Sequence, residues 1–388
     1  MTPPGVEAMP SGDSHSIVLR SGNQMVADGA LRAGCRFFAG YPITPATGIF
    51  KAMVDALPSR RGLALSAPDE ISAIAYCIGA AMRGYKAMTA TSGPGWALMI
   101  ESVQYALMTE TPLVVALVQR LGPSTGGATQ GAQGDILLAE YATSGGYTIP
   151  ILCPENAQEC SSLTLKAFEW AEQLRTPVIV MSDKETGMTI ESVDLDLLPP
   201  ESSQATFAVP ERADLANGTY WFDRPGDVPA FAPVGGNHRV IATGSAHDKK
   251  GTLQKNSTET LDVLRHLEEK IRWRSGELGL VDADPDPEAD TLVISYGITS
   301  RAARTAVAKA RSQGTRVAYL SIKSLFPVPE LALQKAFATA DRVIVAEENM
   351  NGLYRSVIGR IADGRMMVGV NAVGTMITPS EILAAIQR

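Results

Sequence analysis

Four short stretches of the 388-residue sequence combine residue types with chemical capacity. The first, Gly40-Tyr41-Pro42-Ile43-Thr44-Pro45-Ala46-Thr47, directly follows a β-rich run. Turn chemistry accounts for much of it, because Thr44 suits a helix N-cap and Pro45 the first helical position. The same arrangement offers a hydroxyl and free backbone amides to a substrate carboxylate. The second, Ser66-Ala67-Pro68-Asp69-Glu70, opens a helix with an apolar stripe of Ile71, Ile74, Ala75, Ile78 and Met82. Asp69 and Glu70 complement the helix dipole there; the sharper alternative puts Glu70 in a dry site, holding a ring nitrogen of a cofactor.

The third stretch, Thr91-Ser92-Gly93-Pro94-Gly95-Trp96, joins a strand to a helix. It has the glycines of a phosphate-cradling loop, but neither the dinucleotide fingerprint nor the Lys-Ser/Thr ending of a P-loop. Close approach of backbone to a ligand or a neighbouring chain explains it equally well. The fourth starts at Arg120 and runs Leu121-Gly122-Pro123-Ser124-Thr125-Gly126-Gly127-Ala128-Thr129-Gln130-Gly131. An arginine at the carboxyl end of a strand suits bidentate carboxylate binding. The plain alternative is a surface arginine before a flexible loop; the density of Gly, Ser and Thr favours function.

These stretches need a scaffold that brings strand ends together. Residues 22–33 and 44–57 read as helices, with strands at 35–39 and 84–91. Residues 113–119 form a continuous β-rich run, as expected where both sheet faces are covered, and 176–182 are similar. After residue 290 the theme repeats, with strands at 291–296, 316–322 and 342–346 and a helix at 299–313. The alternation predicts a parallel α/β fold. Between the two regions, residues 198–255 are rich in Pro, Gly, Asn and Asp and show little periodicity, so they read as a functional loop or an interface arm. The aromatics of this arm (Phe207, Tyr220, Trp221, Phe222 and Phe231) need burial; a partner subunit is the expected place, and an arm folded back on its own first domain is the alternative. A helix at 258–274 follows, with Leu264, Leu267 and Ile271 on one face.

Composition narrows the function. With 45% hydrophobic and 19% charged residues, two or three folded domains are expected. The net charge of −7, from 34 basic and 41 acidic residues, argues against general nucleic-acid binding. The four cysteines, Cys35, Cys77, Cys153 and Cys160, include no C-x-x-C pair. Neither a disulfide framework nor an iron–sulfur cluster held by this chain alone is therefore expected. The histidines, His15, His238, His247 and His266, are scattered, so no metal site is expected. No apolar stretch is long enough for a bilayer, and residues 1–14 lack the features of a secretory signal. They read as a flexible tail on a cytoplasmic protein.

In order, YPITPAT, PDEISAIAYCIGAAMRGYKAMTATSGPG and QRLGPSTGGATQGAQGD resemble the pyrimidine-binding α subunit of thiamine-diphosphate-dependent 2-oxoacid:ferredoxin oxidoreductases, most like those acting on 2-oxoglutarate. The likeness continues through Gly244-Ser245-Ala246-His247-Asp248, SYGITSRAARTAVAKAR, SIKSLFPVPE and EENMNG, and so covers almost the whole chain. It implies a pyrimidine-binding domain with a parallel sheet at 15–190. An extended arm or linker with a helix follows at 191–290, and a transketolase C-terminal-like α/β domain at 291–388. By the same resemblance Thr44, Arg120 and Thr129 bind the substrate and Glu70 hydrogen-bonds N1′ of the aminopyrimidine. Tyr41, Pro42, Ile43 and Ser92 stand beside the cofactor. Leu121, Gly127 and Ala128 depart from the family pattern, which has a second Gly after the arginine and Leu-Pro before the threonine. The chemistry of Glu70 also has a basis of its own. A carboxylate at N1′ favours the imino tautomer, whose 4′ nitrogen can take the proton of the weakly acidic C2 carbon.

The implied reaction is coenzyme A-dependent oxidative decarboxylation of a 2-oxoacid, with electrons passed to ferredoxin. The preferred substrate is 2-oxoglutarate, and branched-chain, aryl and pyruvate-type acids are alternatives. The sequence has no Gly-Asp-Gly followed by an Asn at the spacing that binds magnesium diphosphate. By resemblance Mg2+, the diphosphate end of the cofactor and a 4Fe–4S cluster belong to a β subunit. The expected assembly is (αβ)2, open to further small subunits, and the chain alone is expected to be inactive. Two other classes compete. Retention of Thr44, Glu70 and Arg120 argues against a non-catalytic interaction subunit. A nucleotide-binding protein would use residues 91–95 as its phosphate loop.

Overall fold

The apolar run Leu113–Gln119 is a strand buried along its whole length, with Ala87–Thr91 and Pro177–Asp183 parallel to it on either side. The computed structural model describes residues 16–202, 204, 206–207 and 218–388. The tail at 1–14 and part of the arm lie outside them. In the described residues these three strands are the middle of a seven-stranded sheet, ordered Ser324–Phe326, Ile151–Leu152, Pro177–Asp183, Leu113–Gln119, Ala87–Thr91, Phe37–Gly40, Leu63–Ser66. Ser324–Phe326 pairs antiparallel with Ile151–Leu152; every other pairing is parallel.

Strand alternation sorts the core into two layers. Val115, Leu117, Ile179 and Met181 pack with Ile74, Cys77, Trp96 and Met99 of the helices Glu70–Met82 and Gly93–Met108. Val114, Ala116, Val118, Val178 and Val180 face Met25, Ile49, Met53 and Phe168 from the helices Gly22–Arg32, Thr47–Ala56 and Ala157–Leu174.

A second sheet of five strands has the order Met366–Asn371, Arg342–Glu347, Thr291–Tyr296, Ala318–Ile322, Val281–Asp284, with only the last antiparallel. Leu292, Ile294, Val343 and Val345 belong to the same apolar cluster as Val115 and Trp96, so an unbroken core joins the two sheets. Val293 and Ile344 face the helices Thr299–Ser312 and Pro379–Ile386. Among the described residues no helix is long and apolar enough to cross a membrane.

The arm corrects an expectation. Phe207, Tyr220 and Phe222 are buried by the chain itself and Phe231 is half-buried; Trp221 stays exposed. The cause is Arg175, which follows the helix Ala157–Leu174. Its guanidinium donates to the carbonyls of Thr219, Pro229 and Ala230 and lies 5.6 Å and 5.7 Å from the centres of the Tyr220 and Phe231 rings. A single buried cation thus satisfies carbonyls of a segment that forms no strand among the described residues. Phe222 stacks on His266, 4.2 Å between ring centres, and His266 and Lys270 both reach the Glu110 carboxylate. The helix Thr258–Arg272 therefore buries His266 and Lys270 beside Leu267 and Ile271, while Leu264 is only half-buried.

Candidate active site

Parallel strands end on one edge, so the segments after Phe37–Gly40, Leu63–Ser66, Ala87–Thr91 and Leu113–Gln119 converge there. The four chemically equipped stretches are these segments.

Asp69 and Glu70 divide the two roles left open above. Asp69 is the N-cap of Glu70–Met82 and accepts a hydrogen bond from the Ser72 amide at 2.7 Å, which holds its carboxyl below the usual range. Glu70 is the first helical residue and is buried. Among the described residues no donor reaches its carboxylate. Gly95 is packed against it: a methyl group there would stand 2.6 Å from the Glu70 Cγ and 2.1 Å from the Thr91 Oγ1. The Gly93-Pro94-Gly95 turn is the first turn of the helix Gly93–Met108, and its glycines admit side chains of this same chain. Ser92, the N-cap of that helix, is fully buried, and its hydroxyl has no partner among the described residues.

Arg120 and Thr44 meet. The Arg120 Nη1 donates to the Thr44 carbonyl at 2.6 Å, and Asn23 Nδ2 donates to the Pro45 carbonyl at 2.8 Å. With both carbonyls held by side chains, the helix begins at Thr47, with Ala46 as an N-cap that makes no side-chain bond. The expected capping role of Thr44 and first-turn role of Pro45 are therefore corrected. Tyr41, Pro42 and Thr44 are exposed and Ile43 half-buried, on the rim. Thr129 is exposed on the loop after Arg120, which closes on itself through Leu121 N to Gln130 O and Gly127 N to Leu121 O, both 2.9 Å.

The sequence reading passed over Gln119 and Asp135. Gln119 is a buried amide ending an otherwise apolar strand, and its Oε1 accepts the Asp135 amide at 3.1 Å. Asp135 packs on Gly93, where a methyl group would lie 2.6 Å from its Oδ1. Burial pushes its carboxyl up to about 6, and the Arg120 charge opposes this. A polar residue at the end of a wholly apolar strand was the available signal.

Ser92 Oγ, Gln119 Nε2, Arg120 Nε and Asp135 Oδ2 are all buried without hydrogen-bond partners among the described residues. Buried polar atoms are rarely left so, and four within one set of contacting segments mark a place for a polar ligand. The set comprises two donors, a hydroxyl and a carboxyl oxygen, with the unpartnered Glu70 carboxylate beside them. That inventory fits an aminopyrimidine and a small carboxylate. Among the described residues, two clefts of about 530 Å3 each are lined by other residues and do not include Glu70 or Arg120. All four cysteines are buried and unpaired, and burial pushes the Cys35 thiol up to about 12. Among the described residues no group of three or more His, Cys, Asp or Glu side chains could hold a metal ion.

Residues 28–263 match the family of the pyruvate flavodoxin/ferredoxin oxidoreductase thiamine-diphosphate-binding domain, and residues 289–382 match the pyruvate:ferredoxin oxidoreductase core domain II. The chain belongs to this oxidoreductase family. It is 38% identical over 366 residues to the 2-oxoglutarate synthase subunit KorA of Methanothermobacter marburgensis, covering 93% of this chain and 96% of that one. The KorA subunit of Methanocaldococcus jannaschii is 40% identical over 337 residues, or 87% and 89% of the two chains. A solved 2-oxoglutarate:ferredoxin oxidoreductase from Magnetococcus marinus, with 2-oxoglutarate, coenzyme A and succinyl-CoA bound, superposes with a TM-score of 0.87 at 30% identity. This chain is covered to 96% in that match and spans 65% of the solved chain.

Proposed function

We propose that the chain is the α subunit of a 2-oxoacid:ferredoxin oxidoreductase and that the acid is 2-oxoglutarate. The observation that carries the reading is Glu70: a buried carboxylate, unpartnered among the described residues and pinned by Gly95 at the edge where the parallel strands end. The names of the KorA relatives and of the solved oxidoreductase support the substrate.

Thiamine diphosphate, when bound, supplies the carbon nucleophile and the electron sink that loss of carbon dioxide from a 2-oxoacid requires. Glu70 would hold the pyrimidine N1′ by a hydrogen bond. Ser92 offers its free hydroxyl to the same ring, with Tyr41, Pro42 and Ile43 on the rim. Arg120 presents its free Nε to the 2-oxoacid carboxylate while the Thr44 carbonyl fixes its orientation, and Thr44 and Thr129 add hydroxyls from the two exposed loops.

The rest of the machinery is assigned to partners. Mg2+, the diphosphate end of the cofactor and a 4Fe–4S cluster are placed on a β subunit in an (αβ)2 complex, with coenzyme A as acyl acceptor and ferredoxin as electron acceptor. Exposed apolar side chains on Glu70–Met82, on Gly93–Met108 and at Tyr41 support a covering subunit: Ile71 and Leu98 are each about half exposed, and Tyr41 and Tyr76 nearly so. The test is a panel of 2-oxoacids on the purified complex, read as coenzyme A-dependent dye reduction. The highest kcat/KM is expected for 2-oxoglutarate. A branched-chain, aryl or pyruvate-type acid turned over with higher kcat/KM would replace that substrate.

A further inference from the structure

We propose that Gln133 is a positioning residue, through which the second sheet sets the loop that carries Arg120 and Thr129. The inference rests on reading that loop as the 2-oxoacid-binding loop.

Gln133 is fully buried and every hydrogen-bonding group it has is engaged. Its amide donates to the Glu348 carbonyl at 2.8 Å, and its carbonyl accepts from the Asn349 Nδ2 at 3.1 Å. The side-chain Oε1 accepts from the Glu348 amide at 3.0 Å and the Thr299 hydroxyl at 3.1 Å. The Nε2 donates to the Tyr296 carbonyl at 3.0 Å and to Asp183 Oδ2 at 3.3 Å. Donors thus surround the oxygen and acceptors surround the nitrogen, so only one orientation of the amide satisfies the set. A buried network satisfied in a single arrangement fixes geometry, because any other leaves polar groups unpaired at low dielectric.

The partners define what is being joined. Tyr296, Thr299, Glu348 and Asn349 follow or end strands of the second sheet, whereas Asp183 ends Pro177–Asp183 in the first. Asp183 also accepts the Ile298 amide at 2.8 Å. Gly297, at φ +55°, leaves room for the joint: a methyl group there would lie 2.5 Å from Asp183 Oδ2 and 2.7 Å from Gln133 Nε2. Upstream, the loop from Leu121 to Gln130 is closed by bonds to itself. Its downstream end is therefore fixed where Gln133 is fixed, and Thr129 stands four residues away. A shift of this anchor moves the loop of Arg120 and Thr129 directly, whereas Glu70, on another element, meets it only through Asp135 and the Gly93–Gly95 turn.

Three variants of the assembled complex test this. Gln133→Glu keeps the size but turns an acceptor toward Tyr296 and Asp183. Gly297→Ala presses on the joint from the second sheet. Thr299→Val removes one of the two donors to Oε1 with little change of shape. For Gln133→Glu and Gly297→Ala the KM for the 2-oxoacid is expected to rise about tenfold, and for Thr299→Val about threefold, the scale of unmatched and lost buried hydrogen bonds. Thiamine diphosphate affinity, by titration of the cofactor-free complex, stays within about twofold of the parent on the same scale. Hydrogen exchange at 121–132 quickens. A purely structural role would lower the unfolding temperature and leave KM and loop exchange unchanged, and that result overturns the proposal. If Gln133→Glu does not assemble, Thr299→Val decides by the same readouts. Arg120→Lys is the control. If it too leaves 2-oxoacid use unchanged, the reading of the loop fails; if it raises KM while the other variants do not, only the role of Gln133 fails.

Discussion

Gly95 and Glu70, on two different helices, occupy one another's space: a methyl group on Gly95 would come within 2.6 Å of the Glu70 Cγ and 2.8 Å of its Oε1. The carboxylate that the proposed chemistry needs is thus aimed by contact with bare backbone. No hydrogen bond from a described residue holds it, which leaves its oxygens for a ligand.

Gly95→Ala separates this packing role from ordinary helix propensity. In an unconstrained helix the change is stabilising by about 1 kcal/mol, whereas overpacking a filled site costs roughly 1–3 kcal/mol. The complex is expected to lose thermal stability and at least about tenfold in turnover, the effect of a misplaced acid–base group. Thermal unfolding and dye reduction measure both. A variant more stable than the parent and equally active contradicts the contact.

Arg120→Lys keeps the charge but loses the planar fork that binds the Thr44 carbonyl and leaves Nε free. The expected result is a raised KM for the 2-oxoacid with thiamine diphosphate affinity little changed. Loss of cofactor binding with normal substrate use would assign Arg120 to the cofactor instead.

Glu348 gives the stability a pH dependence. Burial, helped by the nearby Asp183 charge, pushes its carboxyl from 4.5 up to about 8, against the opposing bond from the Ile377 amide. The unfolded chain therefore releases this proton at lower pH than the folded one. Between those two values the folded state holds the extra proton, so stability falls as pH rises and the loss is complete above the folded value. Glu348→Gln removes this dependence. Its melting temperature relative to the parent is expected to climb from about pH 5 to about pH 8. A difference that stays constant across that range contradicts the buried neutral acid.

Lys270→Met tests how the arm is held. Burial alone would raise the Glu110 carboxyl, yet Lys270 and His266 hold it well below the usual range. Removing the lysine 2.7 Å away strands a buried charge, at a cost of about 3–5 kcal/mol. Denaturant unfolding reads the loss, and hydrogen exchange at 219–231 is expected to quicken with it. An unchanged midpoint would mean that the arm is held by its aromatics.

The parts of the fold that the sequence made legible are those whose pattern has one physical explanation. Leu113–Gln119 and Thr291–Tyr296 are buried throughout because helices or the other sheet cover both faces, and their observed bounds equal the expected ones. Leu63–Ser66, Ile151–Leu152 and Met366–Asn371 were missed. The first and last are partly exposed edge strands, and the second is only two residues long. The arm misled because its aromatics were weighed without Arg175, a cation distant in sequence that supplies the missing donors. At the site, motif residues were visible as local strings, and their convergence followed from parallel strands. Asp135 and Gln133 were not visible, because their meaning lies in partners such as Gly93, Tyr296 and Glu348.

Whether Glu70 performs the proton chemistry of the cofactor is read from Glu70→Gln in the assembled complex. The substitution conserves volume and the contact with Gly95, so the fold and its unfolding temperature are expected to stay close to the parent. The rate of 2-oxoacid-dependent dye reduction is expected to fall by ~10²–10⁴-fold, the range of a general acid–base contribution. A rate within about twofold of the parent lies far outside that range and would rule Glu70 out of that role.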